Sequence, residues 1–243
     1  MILALDFTRL DEAVDLAREL VGHVGMFKIN THLFTSAGPE AVRSIAALGA
    51  EIFLDLKFHD IPNTVAGAVS SALTLLGVRL IDLHTTGGEA MMRAGAEVIA
   101  KAGTKSRRPN LLGITILTSM DRAALGRVGI SGTPGARAVS LARLAKKSGL
   151  DGVVASPHEV RQIRRACGPK FLIVVPGVRP AVAGDAKRAD DQARVATPGE
   201  AIRAGADYLV VGRPITGAPD PVAAADSIVA EIAAGLRPSR RAD

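Results

Sequence analysis

Tryptophan is absent, tyrosine occurs once, as Tyr208, and aromatic residues make up only 3% of the chain. Proteins that bind single-stranded nucleic acid by stacking need a platform of such rings, so that class is poorly supported. Cysteine is equally scarce. Cys167 stands alone, so no internal disulfide forms, and no Cys/His cluster has the spacing of a zinc site. A reducing cytoplasm is therefore expected. No apolar run approaches the roughly 20 residues that span a bilayer. The start, Met1-Ile-Leu-Ala-Leu-Asp6, has no basic stretch and meets an acid at once, unlike a secretory signal.

What the chain has is an ordinary globular balance, with 243 residues, 48% hydrophobic and 22% charged. Disorder requires low hydrophobicity and high charge and is excluded. The net charge of +6 suits an anionic partner of some kind. The basic clusters are short, at 105–108, 146–147, 164–165 and 237–241, and read as solvated helix faces and loop tips. Neither a nucleic-acid nor a membrane partner is expected. One domain is expected over 1–236, followed by a basic tail, 237–243, beyond the last apolar pattern and expected to fray.

Runs rich in Val, Ile and Leu recur at 2–6, 26–30, 51–56, 79–84, 111–117, 152–155, 171–176 and 208–212. They show little polar alternation, as expected for parallel strands buried on both faces. Between them, apolar residues at spacings of three and four predict helices at 11–20, 39–48, 62–76, 89–102, 135–147, 157–166, 198–204 and 221–234. Several open with proline in the first turn and close on glycine. A joint recurs before strands as Leu-Gly-Ala-Glu51, Ser-Gly-Leu-Asp151 and Ala-Gly-Ala-Asp207. The alternation predicts a single α/β domain, a (β/α)₈ TIM barrel. An open doubly wound sheet normally carries a Gly-rich loop after its first strand, and Leu5-Asp6-Phe7-Thr8 has no glycine.

Such barrels place chemistry at the C-terminal ends of their strands. Those ends hold Asp6, Lys28, Asp55-Leu-Lys57-Phe-His-Asp60, His84, Thr118, Gly177-Val-Arg179 and Gly212-Arg213. Period-two geometry would point Asp55 and Lys57 to one side, giving alternating Lys28, Asp55, Lys57 and Asp60 at the mouth. Opposite charges keep each other ionised when partly buried. A structural ion-pair network fits the same residues, and Asp60 alone would also suit a helix cap before Pro62. Their gathering at one barrel face favours a functional cluster. Glycines and arginines after strands seven and eight suit a phosphate. The long polar loop 180–197, which contains Gln192, could serve as a lid, although composition alone favours a plain surface excursion.

The segment Asp55-Leu-Lys-Phe-His-Asp-Ile-Pro-Asn-Thr64 resembles the active-site signature of the orotidine 5′-phosphate decarboxylases. The resemblance extends through Leu-Ala-Leu-Asp6, Lys28, Leu-Thr118-Ser-Met, Pro-Gly-Val-Arg179-Pro and Val-Gly-Arg213-Pro. It implies cofactor-independent, metal-free decarboxylation of orotidine 5′-phosphate, the final step of de novo UMP synthesis. It makes Lys57 the catalytic lysine and proton donor, and puts Asp55 beside the scissile carboxylate. Lys28 and Asp6 contact the ribose, and Thr118 contacts the pyrimidine. Arg179, Gln192, Gly212 and Arg213 grip the phosphate. Asp60 and Thr64 reach the neighbouring site of a homodimer. Asn30 departs from the small residue more often found there. Mg²⁺-dependent sugar-phosphate lyases share Asp-x-Lys-x-x-Asp, but the Phe58-His59 pair and Ile-Pro-Asn-Thr64 favour the pyrimidine enzyme.

Overall fold

Successive residues of a strand point to opposite faces, and here both faces meet hydrocarbon. The strands are β1 (Ile2–Ala4), β2 (Met26–Asn30), β3 (Ile52–Phe58), β4 (Val78–His84), β5 (Asn110–Ile114), β6 (Gly152–Val154), β7 (Leu172–Pro176) and β8 (Tyr208–Val211). Ile2, Ala4, Met26, Phe53, Leu80, Leu112, Val174 and Val210 form one buried cluster. Their neighbours Leu3, Phe27, Leu54, Ile81, Leu111, Val153, Ile173 and Leu209 join a second, larger cluster with the helices. Each fully buried Leu, Ile or Phe contributes about 1.5–3 kcal/mol. The computed structural model, which describes residues 1–104, 108–180 and 196–236, closes these strands in sequence order into a parallel barrel.

The expected (β/α)₈ barrel is thus the observed fold. Its main helices are α1 (Leu10–Leu20), α3 (Pro39–Ala46), α4 (Pro62–Ala72), α5 (Gly88–Lys101), α7 (Pro134–Lys147), α8 (Val160–Cys167), α9 (Pro198–Ala204) and α11 (Pro221–Leu236). On α1, Ala13, Ala17 and Leu20 are buried on one face, and Asp11 and Glu12 complement the dipole in the first turn. On α9, Thr197 and Glu200 form a reciprocal capping box, and Gly205 ends the helix in a left-handed conformation.

Three short helices were not expected from the apolar pattern: α2 (Thr31–Ala37), α6 (Arg122–Arg127) and α10 (Arg213–Thr216). Side-chain caps account for two of them. Asn30 accepts from Leu33 N–H at 3.0 Å, and Asp121 accepts from Ala124 N–H at 2.7 Å. The helix expected at 157–166 opens as a 3₁₀ turn, Pro157–Glu159, before α8. Two strand ends also move. β3 runs on to Phe58, and β5 stops at Ile114 although Thr115 N–H still donates to Val154 at 3.1 Å. Among the described residues no helix is long and apolar enough to cross a membrane. Gln192 and the basic tail at 237–243 lie outside the described residues.

Candidate active site

Strand register decides which polar side chains meet at the mouth. Ala4 pairs with Lys28, Lys28 with Phe53, and Asn30 with Asp55. The alternation that buries Met26, Phe53 and Leu80 inside the barrel delivers Lys28, Asp55 and Asp82 one step nearer its C-terminal end.

Asp55 is shared between two ammonium groups. Its Oδ2 lies 2.8 Å from Lys28 Nζ and its Oδ1 lies 2.5 Å from Lys57 Nζ. Lys28 Nζ is also 3.8 Å from Asp6 Oδ1. Burial opposes the charge on Lys28, but Asp55 and Asp6 outweigh it and raise its pKa. Burial likewise opposes ionisation of Asp55, but Lys28, a hydrogen bond with Asp82, and Lys57 together lower its pKa. Lys28 and Asp55 are nearly enclosed, whereas the Lys57 side chain is 34% exposed.

Lys57 and Lys28 border a cavity of about 210 Å³. Its walls differ in character. Lys28, Asp55 and Lys57, from β2 and β3, charge one side, while Ile114, Val154, Ala155, Pro176 and Val210, from β5 to β8, make the other apolar, and Thr118 also lines the cavity. An apolar wall lowers the local dielectric and strengthens every charge interaction inside.

Asp55 and Lys57 do not meet through a regular pleat. The β3–β4 register jumps from Leu54↔Ile81 to Phe58↔Leu83, so residues 55–57 lie opposite Asp82 alone. Within this bulge Lys57 takes φ +52°, the one non-glycine positive φ among the described residues. An L-residue held there stores of order 1–3 kcal/mol and persists only when its surroundings enforce it. Asp82 does so, because its Oδ1 accepts Lys57 N–H at 2.8 Å. The expected simple alternation is corrected accordingly: the two charges converge through a bulge pinned from the next strand.

Asp60 does not join this cluster. It is exposed, and its Oδ1 accepts the N–H of Ile61 at 2.6 Å. It is not a helix cap either, since Ile61 holds the cap position of α4. Thr64 is exposed on the first turn of the same helix. His84 stacks on His59 with ring centroids 5.4 Å apart. Burial, then the charges of His59 and Lys57, lower the His84 pKa.

The loops after β7 and β8 lie side by side, since Pro176 pairs with Val210. Gly177 has φ +74°, and Val178 bridges to Ala196. Arg179 is half-buried, and its N–H donates to Ala196 at 3.1 Å. Gly212 abuts Asp6, because a Cβ there would lie 3.4 Å from Asp6 Oδ2. Arg213 is exposed at the start of α10. Asn30 Nδ2 donates to Asp6 Oδ1 at 2.8 Å, so the residue that departs from the family's pattern orients the Asp6 carboxylate.

A family model described as orotidine 5′-phosphate decarboxylase / HUMPS matches residues 1–228. The chain belongs to this family. It is 52% identical over 237 residues to the orotidine 5′-phosphate decarboxylase of Trichlorobacter lovleyi, covering 98% of this chain and 96% of that one. Among solved structures it resembles an uncharacterized conserved protein from Geobacillus kaustophilus, with TM-score 0.81, 34% identity and coverage of 95% and 99%. It also resembles the orotidine 5′-phosphate decarboxylase of Lactobacillus acidophilus, with TM-score 0.78, 34% identity and coverage of 96% and 98%.

Within this orotidine 5′-phosphate decarboxylase / HUMPS barrel, the structure brings together Asp6, Lys28, Asp55, Lys57, Thr118 and Gly212. It leaves Asp60 and Thr64 on the rim. Asp82 was missed. Its signal was an acid inside the apolar run Leu80-Ile-Asp82-Leu83, at a position whose period points into the barrel.

Proposed function

We propose that this chain decarboxylates orotidine 5′-phosphate to UMP and CO₂ without a cofactor, in the cytoplasm, as the last step of de novo pyrimidine nucleotide synthesis. One observation carries the reading: a buried carboxylate shared by two lysines, one of them opening on a half-apolar cavity, in a chain of this family.

Breaking the bond between C6 and its carboxyl carbon releases CO₂ and leaves the electron pair on C6, in the plane of the ring. The π system cannot take up that pair. Stabilisation toward the upper end of the roughly 8–23 kcal/mol that enzymes typically supply is required. The Lys57 ammonium is a preorganised positive charge where this negative charge develops. It then gives one proton to C6, yielding UMP and a neutral amine that regains its proton from water. Asp55 fixes both ammoniums and stands beside the departing carboxylate. Lys28 and Asp6 receive the ribose hydroxyls, with Asn30 orienting Asp6. Thr118 and the apolar wall hold the base.

The phosphate falls to Gly212, Arg213, Arg179 and Gln192, where a guanidinium offers a bidentate grip. Binding energy gathered there, remote from C6, is available to the chemical step. Asp60 and Thr64 flank Ile61, which is 67% exposed. An exposed apolar side chain between two polar ones suits contact with a second copy, into whose site Asp60 and Thr64 reach. Sedimentation giving a two-chain mass supports that arrangement, and a one-chain mass removes it.

The test is incubation with orotidine 5′-phosphate in EDTA, following the ultraviolet change and the CO₂ released. Equimolar UMP and CO₂ at an undiminished rate are expected. No conversion, or turnover of a sugar phosphate only when Mg²⁺ is added, would favour the metal-dependent lyases instead.

A further inference from the structure

Asp82 is the fully buried acid of the site, 0% exposed, and the decarboxylation steps above do not use it. Two geometric facts define it. Its Oδ1 accepts the N–H of Lys57, the residue with the strained backbone. Its Oδ2 is buried with no hydrogen-bond partner among the described residues, and the β3–β4 bulge sets it opposite residues 55–57, beside the Asp55 carboxylate. A fully buried carboxylate oxygen without a donor, beside a second carboxylate, is relieved when one of the two acids carries a proton. Asp55 already receives two ammoniums, so the proton belongs on Asp82.

We propose that Asp82 is a positioning residue for the reaction, a neutral carboxylic acid that accepts the Lys57 N–H through one oxygen and donates its own proton to Asp55 through the other. The proposal rests on the decarboxylation reading for its catalytic meaning, but its protonation state does not. Held in this way, the bulge keeps the Lys57 ammonium aimed at the cavity, and the Asp55 carboxylate is fixed from behind. An ionised Asp82 would instead compete with Asp55 for the Lys57 and Lys28 ammoniums.

The surroundings are consistent with a proton here. From β3, Asp82 faces Asp55 and Lys57, and from β2 it faces Lys28. Its partner on β5 is the uncharged Leu112, and His84 follows on its own strand. Burial, then the charge of Asp55 and the hydrogen bond with it, push Asp82 well above the ordinary carboxylate range against the opposing pull of Lys57.

The sign of the pH dependence follows. Between the ordinary Asp value near 4 and the raised folded value, the folded chain holds a proton at Asp82 that the unfolded chain has released. That contribution to stability therefore falls as pH rises through this window. Asp55 behaves oppositely: its stabilisation is present above the ordinary value and is lost only as pH falls through its lowered one. A series from about pH 5 upward keeps Asp55 ionised.

The experiment compares the parent with Asp82→Asn and Asp82→Leu. Asparagine supplies the same acceptor to Lys57 and an N–H donor to Asp55 without a titratable proton. The melting-temperature advantage of Asp82→Asn over the parent should widen as pH rises from about 5 to about 8. A flat or narrowing difference overturns the proposal, and this arm needs no substrate. On orotidine 5′-phosphate, Asp82→Leu should lose kcat by about 100-fold, the scale of an ångström-sized misplacement, with KM changed only a few-fold. Asp82→Asn should recover most of that loss. Parent-level kcat in Asp82→Leu, or equal damage in both variants, overturns it. If Asp82→Leu does not fold, the recovery and pH series of Asp82→Asn decide. A parent inactive on orotidine 5′-phosphate would remove the decarboxylation reading and leave the pH series to judge Asp82.

Discussion

The two ends of the barrel both carry ion pairs, and they are built in opposite ways. At the N-terminal floor, each acid of the recurring helix–Gly–strand joint meets an arginine. Glu51 pairs with Arg79 at 2.8 Å, Asp151 with Arg108 at 2.7 Å, and Asp207 with Arg164 at 2.6 Å. The two more enclosed acids also accept a backbone N–H, Asp151 from Leu111 and Asp207 from Ile173. Arg164 spreads its remaining donors over the carbonyls of Gly168, Phe171 and Gly205. Arg108 forks onto both oxygens of Asp151, and no non-glycine residue of the described floor takes a positive φ.

At the mouth the cations paired with Asp55 are lysines, point charges on flexible stems. One carboxylate serves two of them, a buried acid oxygen lacks a donor, and the backbone of Lys57 sits in a costly conformation. Arginine pairs tie the floor's strands and helices together, whereas the mouth concentrates lysine charge, an unpartnered acid oxygen and backbone strain, the pattern of a functional site.

That contrast breaks if variants at the two ends fail in the same way. The largest effect after that of Lys57 itself is expected from Asp55→Ala, which deprives both lysines of their shared partner. The kcat on orotidine 5′-phosphate should fall about 10³–10⁴-fold, with the far-ultraviolet spectrum retained. A stability loss without that fall would make the cluster structural.

Next comes Arg108→Ala, which leaves Asp151 buried without its guanidinium. Urea unfolding should show a loss of about 3–5 kcal/mol, while kcat below the melting transition stays near the parent's. A drop in kcat at unchanged stability would erase the distinction between floor and mouth. Smaller still is Arg213→Ala. It should lower kcat/KM by about 100-fold on the phosphorylated substrate and leave a truncated nucleoside nearly unaffected. Equal losses on both would take Arg213 away from the phosphate.

The barrel was readable because its signal is local. Eight apolar runs alternate with helical periods, and three of the joints between them are marked by a glycine and an acid within four residues. Asp55 and Lys57 were readable for the same reason, being two residues apart. The partners of the joint acids were not, since Arg108 and Arg164 meet acids 43 residues away, contacts made when neighbouring strands pair. Asp82 was hidden by register. Only the β3–β4 bulge brings its carboxyl group to the amide of Lys57, and no periodicity along one strand announces a bulge on its neighbour. The short helices α2 and α6 escaped because single side-chain caps start them, without an apolar stripe. Asp60 and Thr64, two residues of the same ten-residue motif, are exposed on the rim.

The proposed decarboxylation turns on the Lys57 side chain, and the most direct measurement is the turnover of orotidine 5′-phosphate by Lys57→Ala beside its melting temperature. Losing both the charge opposite C6 and the proton donor should lower kcat by about 10⁴-fold or more while the protein stays folded. Turnover within tenfold of the parent would contradict it.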